Sequence, residues 1–209
     1  SLMPIAARHL LTEEETTMRI PVLAFSLVLG LMSLGCGPSH DTSEETSGLS
    51  GSRSSLLPER AIEALALEQN FPVHPDTSLT PGLRCQDPDS QRYPERIDYC
   101  ERDVSTSLKN SVIRSYDESL GFEVSELDRE AFKIDHYIPL CMGGDNDRMN
   151  LWPQHKLVYE HTDLLEMQLC LALERGLLTQ DETIDENITA KNHLEEAATI
   201  LAKVRELLD

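Results

Sequence analysis

Asp135 and His136 stand side by side, and shortly after them come Gly143-Gly144, Asn150, His155 with Lys156, and then His161 and Asp163. An adjacent acid and imidazole, a glycine turn, an asparagine before an apolar run and a further histidine on a helix thus fall within one supersecondary unit. That density of polar donors points to a hydrolytic metal site.

The elements that must place these groups follow from the pattern around them. Residues 132–138 alternate and are rich in β-formers, which predicts a strand ending at Pro139. Gly143-Gly144 and Asp145-Asn146-Asp147 predict a wide turn, because glycine and Asx residues tolerate positive φ and bond their own backbone. Asn150-Leu151-Trp152 reads as a short returning strand. Pro153, a favoured first helical residue, then opens a helix whose Val158, Leu165, Leu169 and Ala172 recur at helical spacing up to Arg175-Gly176. The unit is strand, loop, strand, helix. His161 falls on the stripe of Val158 and Leu165 and so faces the strands, either as a metal ligand or as a satisfied core histidine. His155, at the helix start, is placed for a phosphate contact. Neighbours on a strand point to opposite faces, so Asp135 and His136 serve one site only if the backbone bends there.

Asp135-His136, Gly143-Gly144, Asn150-Leu151-Trp152-Pro153-Gln154 and the later Asp163 and Glu166 resemble the His-Me finger, or ββα-metal motif, of HNH endonucleases. The subgroup is a bacterial one marked by the Asn-Leu-Trp-Pro-Gln run. The likeness extends upstream over residues 102–114 and covers the span 85–176. It implies an α+β fold, a mostly helical domain around a ββα-metal finger at 131–176. It also implies a metal-dependent endonuclease that hydrolyses phosphodiester bonds of DNA, or of RNA. That reaction needs an activated water, a cation to neutralise charge gathering on phosphate, and a group to handle the leaving oxygen. By the resemblance, His136 is the general base and Asp135 a metal ligand, while Asn150 pins the loop and orients His136 through an amide hydrogen bond. Asp163 matches the family's helical aspartate, and Thr162 stands where the family often has a lysine. The implied cofactor is a divalent metal, magnesium first, with manganese, calcium or zinc as alternatives. A reading from another class is a catalytically degenerate finger serving as an exported lipoprotein binding or interaction module; retention of both Asp135 and His136 argues against it.

The formal net charge is -19, whereas phosphate backbones select for lysine and arginine. This argues against tight non-specific DNA binding, and weak ground-state binding is expected. A metal and a few local bases, Lys109, Arg114, Lys133, Arg148 and Lys156, can still supply positive potential where a phosphate sits. Of these, Arg148 and Lys156 join His155 as the expected substrate contacts.

Toward the start, Met18-Arg19 and the apolar run 21–34 read as the charged and hydrophobic regions of a signal, too short for a comfortable membrane span. Gly35-Cys36 closes it, similar to a bacterial lipoprotein signal in which Cys36 becomes the lipidated first residue. Ser33 stands where that pattern prefers leucine, which keeps cleavage by the ordinary signal peptidase open. Residues 1–17 lie upstream of the signal. Residues 37–56 hold almost no large apolar side chains and form a tether; residues 57–209 form the nuclease-like domain. The expected location is exported, in the periplasm or cell envelope and lipid-anchored, with nucleic acid and the membrane as partners. Cys85, Cys100, Cys141 and Cys170 then remain, an even number in a compartment that permits disulfides. Local order pairs Cys85 with Cys100 and Cys141 with Cys170; the rival, a zinc site built from all four, has no Cys-x-x-Cys.

Helices are also predicted over 57–70, over 105–116 with Ser105 as N-cap, and, one or two of them, over 181–208, packing back on the finger.

Overall fold

The computed structural model describes residues 56–209, so the Cys36 signal, the residues ahead of it and all of the tether but Leu56 lie outside the described residues. Pro58, extended at ψ 148, leads into α1 (Glu59–Gln69), and Asn70 ends that helix at a left-handed φ of 54, a conformation asparagine tolerates. A hairpin follows, β1 (Ser90–Arg92) and β2 (Ile97–Tyr99), antiparallel. The Cys85–Cys100 disulfide brackets it as expected. In α2 (Thr106–Leu120) the Ser105 hydroxyl accepts from the Leu108 N–H at 3.1 Å, and Gly121 stops the helix at φ 77.

The predicted order of strand, loop, strand and helix is found in β3 (Phe132–His136), β4 (Leu151–His155) and α3 (Lys156–Glu174). The two strands are antiparallel, with Phe132 opposite His155, Asp135 opposite Trp152 and His136 opposite Leu151. Pro153 does not open the helix. It sits inside β4 opposite Ile134, because both strands of a two-stranded sheet are edges and an edge tolerates the missing N–H. α3 therefore begins later, capped by His155, whose Nδ1 accepts from the Leu157 N–H at 3.3 Å.

A Thr179–Glu182 capping box starts α4 (Gln180–Asn192), His193 breaks the run at φ -138, and α5 (Ala197–Leu208) completes the chain. Both helices pack on α3. One apolar cluster, with Phe71, Tyr116, Ile134 and Trp152, joins α1 and α2 to the β3–β4 sheet; a second, with Leu165, Leu169, Ile184 and Ile200, joins α3 to α4 and α5. The fold is α+β. Cys141–Cys170, also as expected, ties the loop after β3 to the C-terminal part of α3 with its Cα atoms 5.8 Å apart.

Candidate functional site

β3 keeps a regular ladder through its last residue, so its side chains alternate to the end. Phe132, Ile134 and His136 are buried on one face, while Lys133 and Asp135 are half-buried on the other. The bend that would bring Asp135 and His136 to one side of the strand is not there. The two residues flank the end of β3 from opposite faces.

On the Asp135 face, α3 and α4 contribute a compact set of charges. Lys191, near the end of α4, is fully buried, and its Nζ donates to Asp135 Oδ2 at 3.0 Å, Glu166 Oε2 at 3.1 Å and the His136 carbonyl at 2.5 Å. Lys133 Nζ lies 2.7 Å from Asp163 Oδ1 and 3.6 Å from Asp135 Oδ1. Burial by itself raises the Asp135 carboxyl, but the Lys191 and Lys133 ammoniums overcome it and hold the group below the usual carboxylate range. Glu166 goes the other way: burial and the neighbouring Asp135 charge raise it against the pull of Lys191. Burial disfavours the Lys191 ammonium, yet the two carboxylates outweigh it and raise its pKa. Arg102, Lys133, Asp135, Asp163 and Glu166 line an open groove of about 370 Å³.

On the other face, His136 Nε2 lies 3.2 Å from Asn146 Oδ1. The Asn146 amide nitrogen donates to the Glu101 carbonyl at 2.6 Å. A carbonyl only accepts, so the NH2 must point at Glu101 and the amide oxygen at the histidine. That fixes the hydrogen of the neutral imidazole on Nε2 and leaves Nδ1 as the basic nitrogen. Burial lowers the His136 pKa, partly offset by the Asn146 bond, so the ring is neutral at pH 7. Arg102 borders both this side and the Asp135 groove.

Asn150 is buried and does pin the loop, but its side chain does not reach His136. Its Oδ1 accepts from the N–H of Ile138 at 2.9 Å and of Leu83 at 3.3 Å, and its Nδ2 donates to the carbonyls of Ile138 and Asp145, both at 2.9 Å. The amide that touches His136 is that of Asn146, a residue of the turn. Gly143 carries the positive φ of 79 expected of this turn. Gly144 serves differently: a Cβ there would stand 1.8 Å from the Ile138 carbonyl oxygen.

The remaining expected site residues do not gather at Asp135. The buried line of α3 runs Val158, Thr162, Leu165 and Leu169, so it is Thr162, bonded to the Gln154 amide at 3.0 Å, that meets the sheet. His161 lies one step around the helix, half-buried against the Leu57 backbone, with its pKa lowered by burial. It is not a partner of Asp135. His155 is buried, stacked on Phe71 with ring centroids 3.8 Å apart, and engaged as the cap of α3, which removes it as a phosphate contact. Lys156 is exposed and lies 3.9 Å from Glu160, and Arg148 donates to the Ser115 hydroxyl at 2.9 Å. Neither lines the groove beside Asp135.

A divalent ion at Asp135 does not fit this donor set. Asp135 and Glu166 each give an oxygen to Lys191, and the second oxygen of Asp135 faces Lys133 together with Asp163; an added dication would meet two ammoniums at close range. Among the described residues, the three metal-type donors that do converge, within 4.8 Å of one another, are Glu59, Glu63 and His74. Burial raises the Glu59 pKa, and the neighbouring Glu195 carboxyl raises it further. Compared with protein-family models, curated proteins and solved structures, the chain matches none.

Proposed function

We propose that this chain is an endonuclease of the His-Me finger type, hydrolysing phosphodiester bonds of nucleic acid, DNA first, with His136 as the general base. The observation that carries the reading is the neutral His136 at the end of β3, its Nε2–H anchored on Asn146 and its Nδ1 left basic. In the reaction Nδ1 takes a proton from water as the water oxygen bonds to phosphorus; the opposite P–O ester bond breaks, and the leaving oxygen takes up a proton from solvent. Arg102, which borders both the His136 side and the Asp135 groove, supplies the positive charge that meets the phosphate. The two disulfides fit an oxidising, exported environment. Membrane attachment through a lipidated Cys36 belongs to the same reading; a Cys36→Ser chain should move from the membrane fraction to the soluble one.

A second reading, a binding module that has lost catalysis, is favoured by the net charge of -19 and by the groove on the His136 side, where Asp87, Asp89, Glu101, Asp103, Asp145 and Asp147 gather and repel phosphate. Plasmid nicking separates the two. The secreted domain, tested with magnesium, with manganese and with chelator, should nick DNA in at least one condition, and His136→Ala should lower that rate by about 10²-fold to 10⁴-fold. No nicking in any condition would leave the binding module; equal nicking by the mutant would overturn the role given to His136.

A further inference from the structure

A cation already occupies the centre of the carboxylate cluster. Lys191 is 0% exposed, and its three ammonium protons have three oxygen partners, Asp135 Oδ2 at 3.0 Å, Glu166 Oε2 at 3.1 Å and the His136 carbonyl at 2.5 Å. Two carboxylates and a backbone carbonyl converging on one point are the ligands a hard divalent ion takes. We propose that the Lys191 ammonium is the built-in cation of this site: it fills the position between Asp135, Glu166 and the His136 carbonyl, so that the folded chain binds no divalent ion there.

The surrounding charges agree. The Asp135 oxygen that Lys191 does not use lies 3.6 Å from Lys133 Nζ, which also pairs with Asp163, so the exposed side of the cluster has an ammonium of its own. Being wholly buried, Lys191 touches no substrate. It is a positioning residue that fixes the Asp135 carboxylate and the carbonyl of the general base, and it leaves the phosphate to Arg102. The same geometry explains why Lys191 can be buried at all, since an ammonium without such partners would be discharged or expelled.

The inference rests on His136 as the base proposed above, but its test reads ion binding, so an inactive protein still decides it. Thermal unfolding is recorded with and without manganese, and the quantity read is the manganese-dependent rise in Tm that Asp135→Asn removes. In the wild-type chain this rise should be zero. In Lys191→Ala, where two carboxylates and a carbonyl are left facing a vacated position, manganese should raise Tm by about 5 °C. A wild-type rise lost in Asp135→Asn overturns the proposal, and so does a folded Lys191→Ala that ignores manganese. If Lys191→Ala folds only when manganese is present, the proposal holds. If it does not fold under either condition, the wild-type value alone decides.

Discussion

A single amide sets the protonation of the proposed base. Asn146 holds the Nε2–H of His136, and that bond pushes the imidazole pKa up while burial pushes it further down. Removing the acceptor in Asn146→Ala should slow cleavage by about tenfold and move the acid limb of the kcat/KM profile to still lower pH. Asn146→Asp, with a charged acceptor, should move the limb upward. A purely structural role for Asn146 would change the rate and leave the limb in place, so the pH profile is the deciding measurement. Cleavage by the wild-type chain should persist below the ordinary histidine value of 6.5, because the buried ring resists its proton. Asn146 was not legible as a site residue, since in Asp145-Asn146-Asp147 it is one of three consecutive turn formers. The acid–imidazole pair itself was legible from adjacency alone.

At the level of the element, the loop between β3 and β4 is held by Asn150 and by the absence of a side chain at Gly144. Asn150→Ala would strip partners from two N–H groups and two carbonyls, and should cost about 3 kcal/mol or more in urea unfolding. Gly144→Ala drives a methyl into the Ile138 carbonyl and should cost about 3 kcal/mol. The helices were readable because their apolar positions repeat and their ends carry Ser105, Gly121 and Gly176. The β1–β2 hairpin was not: all of β1 is exposed, so no alternation marks it, and its positive φ angles fall on Tyr93 and Arg96 rather than glycine. Pro153 misled because proline suits both a first helical turn and an edge strand. His161 misled because the periodic stripe it belongs to is wide, and only packing shows that Thr162 takes the central line. Lys191 could not be placed by sequence, since its bond to Asp135 spans 56 residues.

For the molecule as a whole, buried histidines and crosslinks set the conditions under which the fold persists. His136, His155 and His161 are all shifted down by burial. The unfolded chain therefore takes up protons near pH 6.5 while the folded chain does not, and this contribution to stability is complete above that pH and shrinks as pH falls from 6.5 toward the folded values. The disulfides close separations of 15 and 29 residues, for which chain entropy gives on the order of 3 kcal/mol each. Reduction should thus lower Tm by about 12–24 °C, and an unchanged Tm would mean that the crosslinks only decorate a fold already made. Their arrangement also bears on how the chain matures. Cys85 with Cys100 and Cys141 with Cys170 lie in series, never interleaved, which is the pairing reached when each thiol joins the next one to emerge from an export channel. The first bond can close before Cys141 arrives, so no isomerase is needed to undo a crossed pair. Cys36 comes earlier still, and a free thiol there would be the first to capture Cys85. The lipidation proposed for Cys36 would turn that thiol into a thioether, withdraw the competitor and keep the sequence of closures in step.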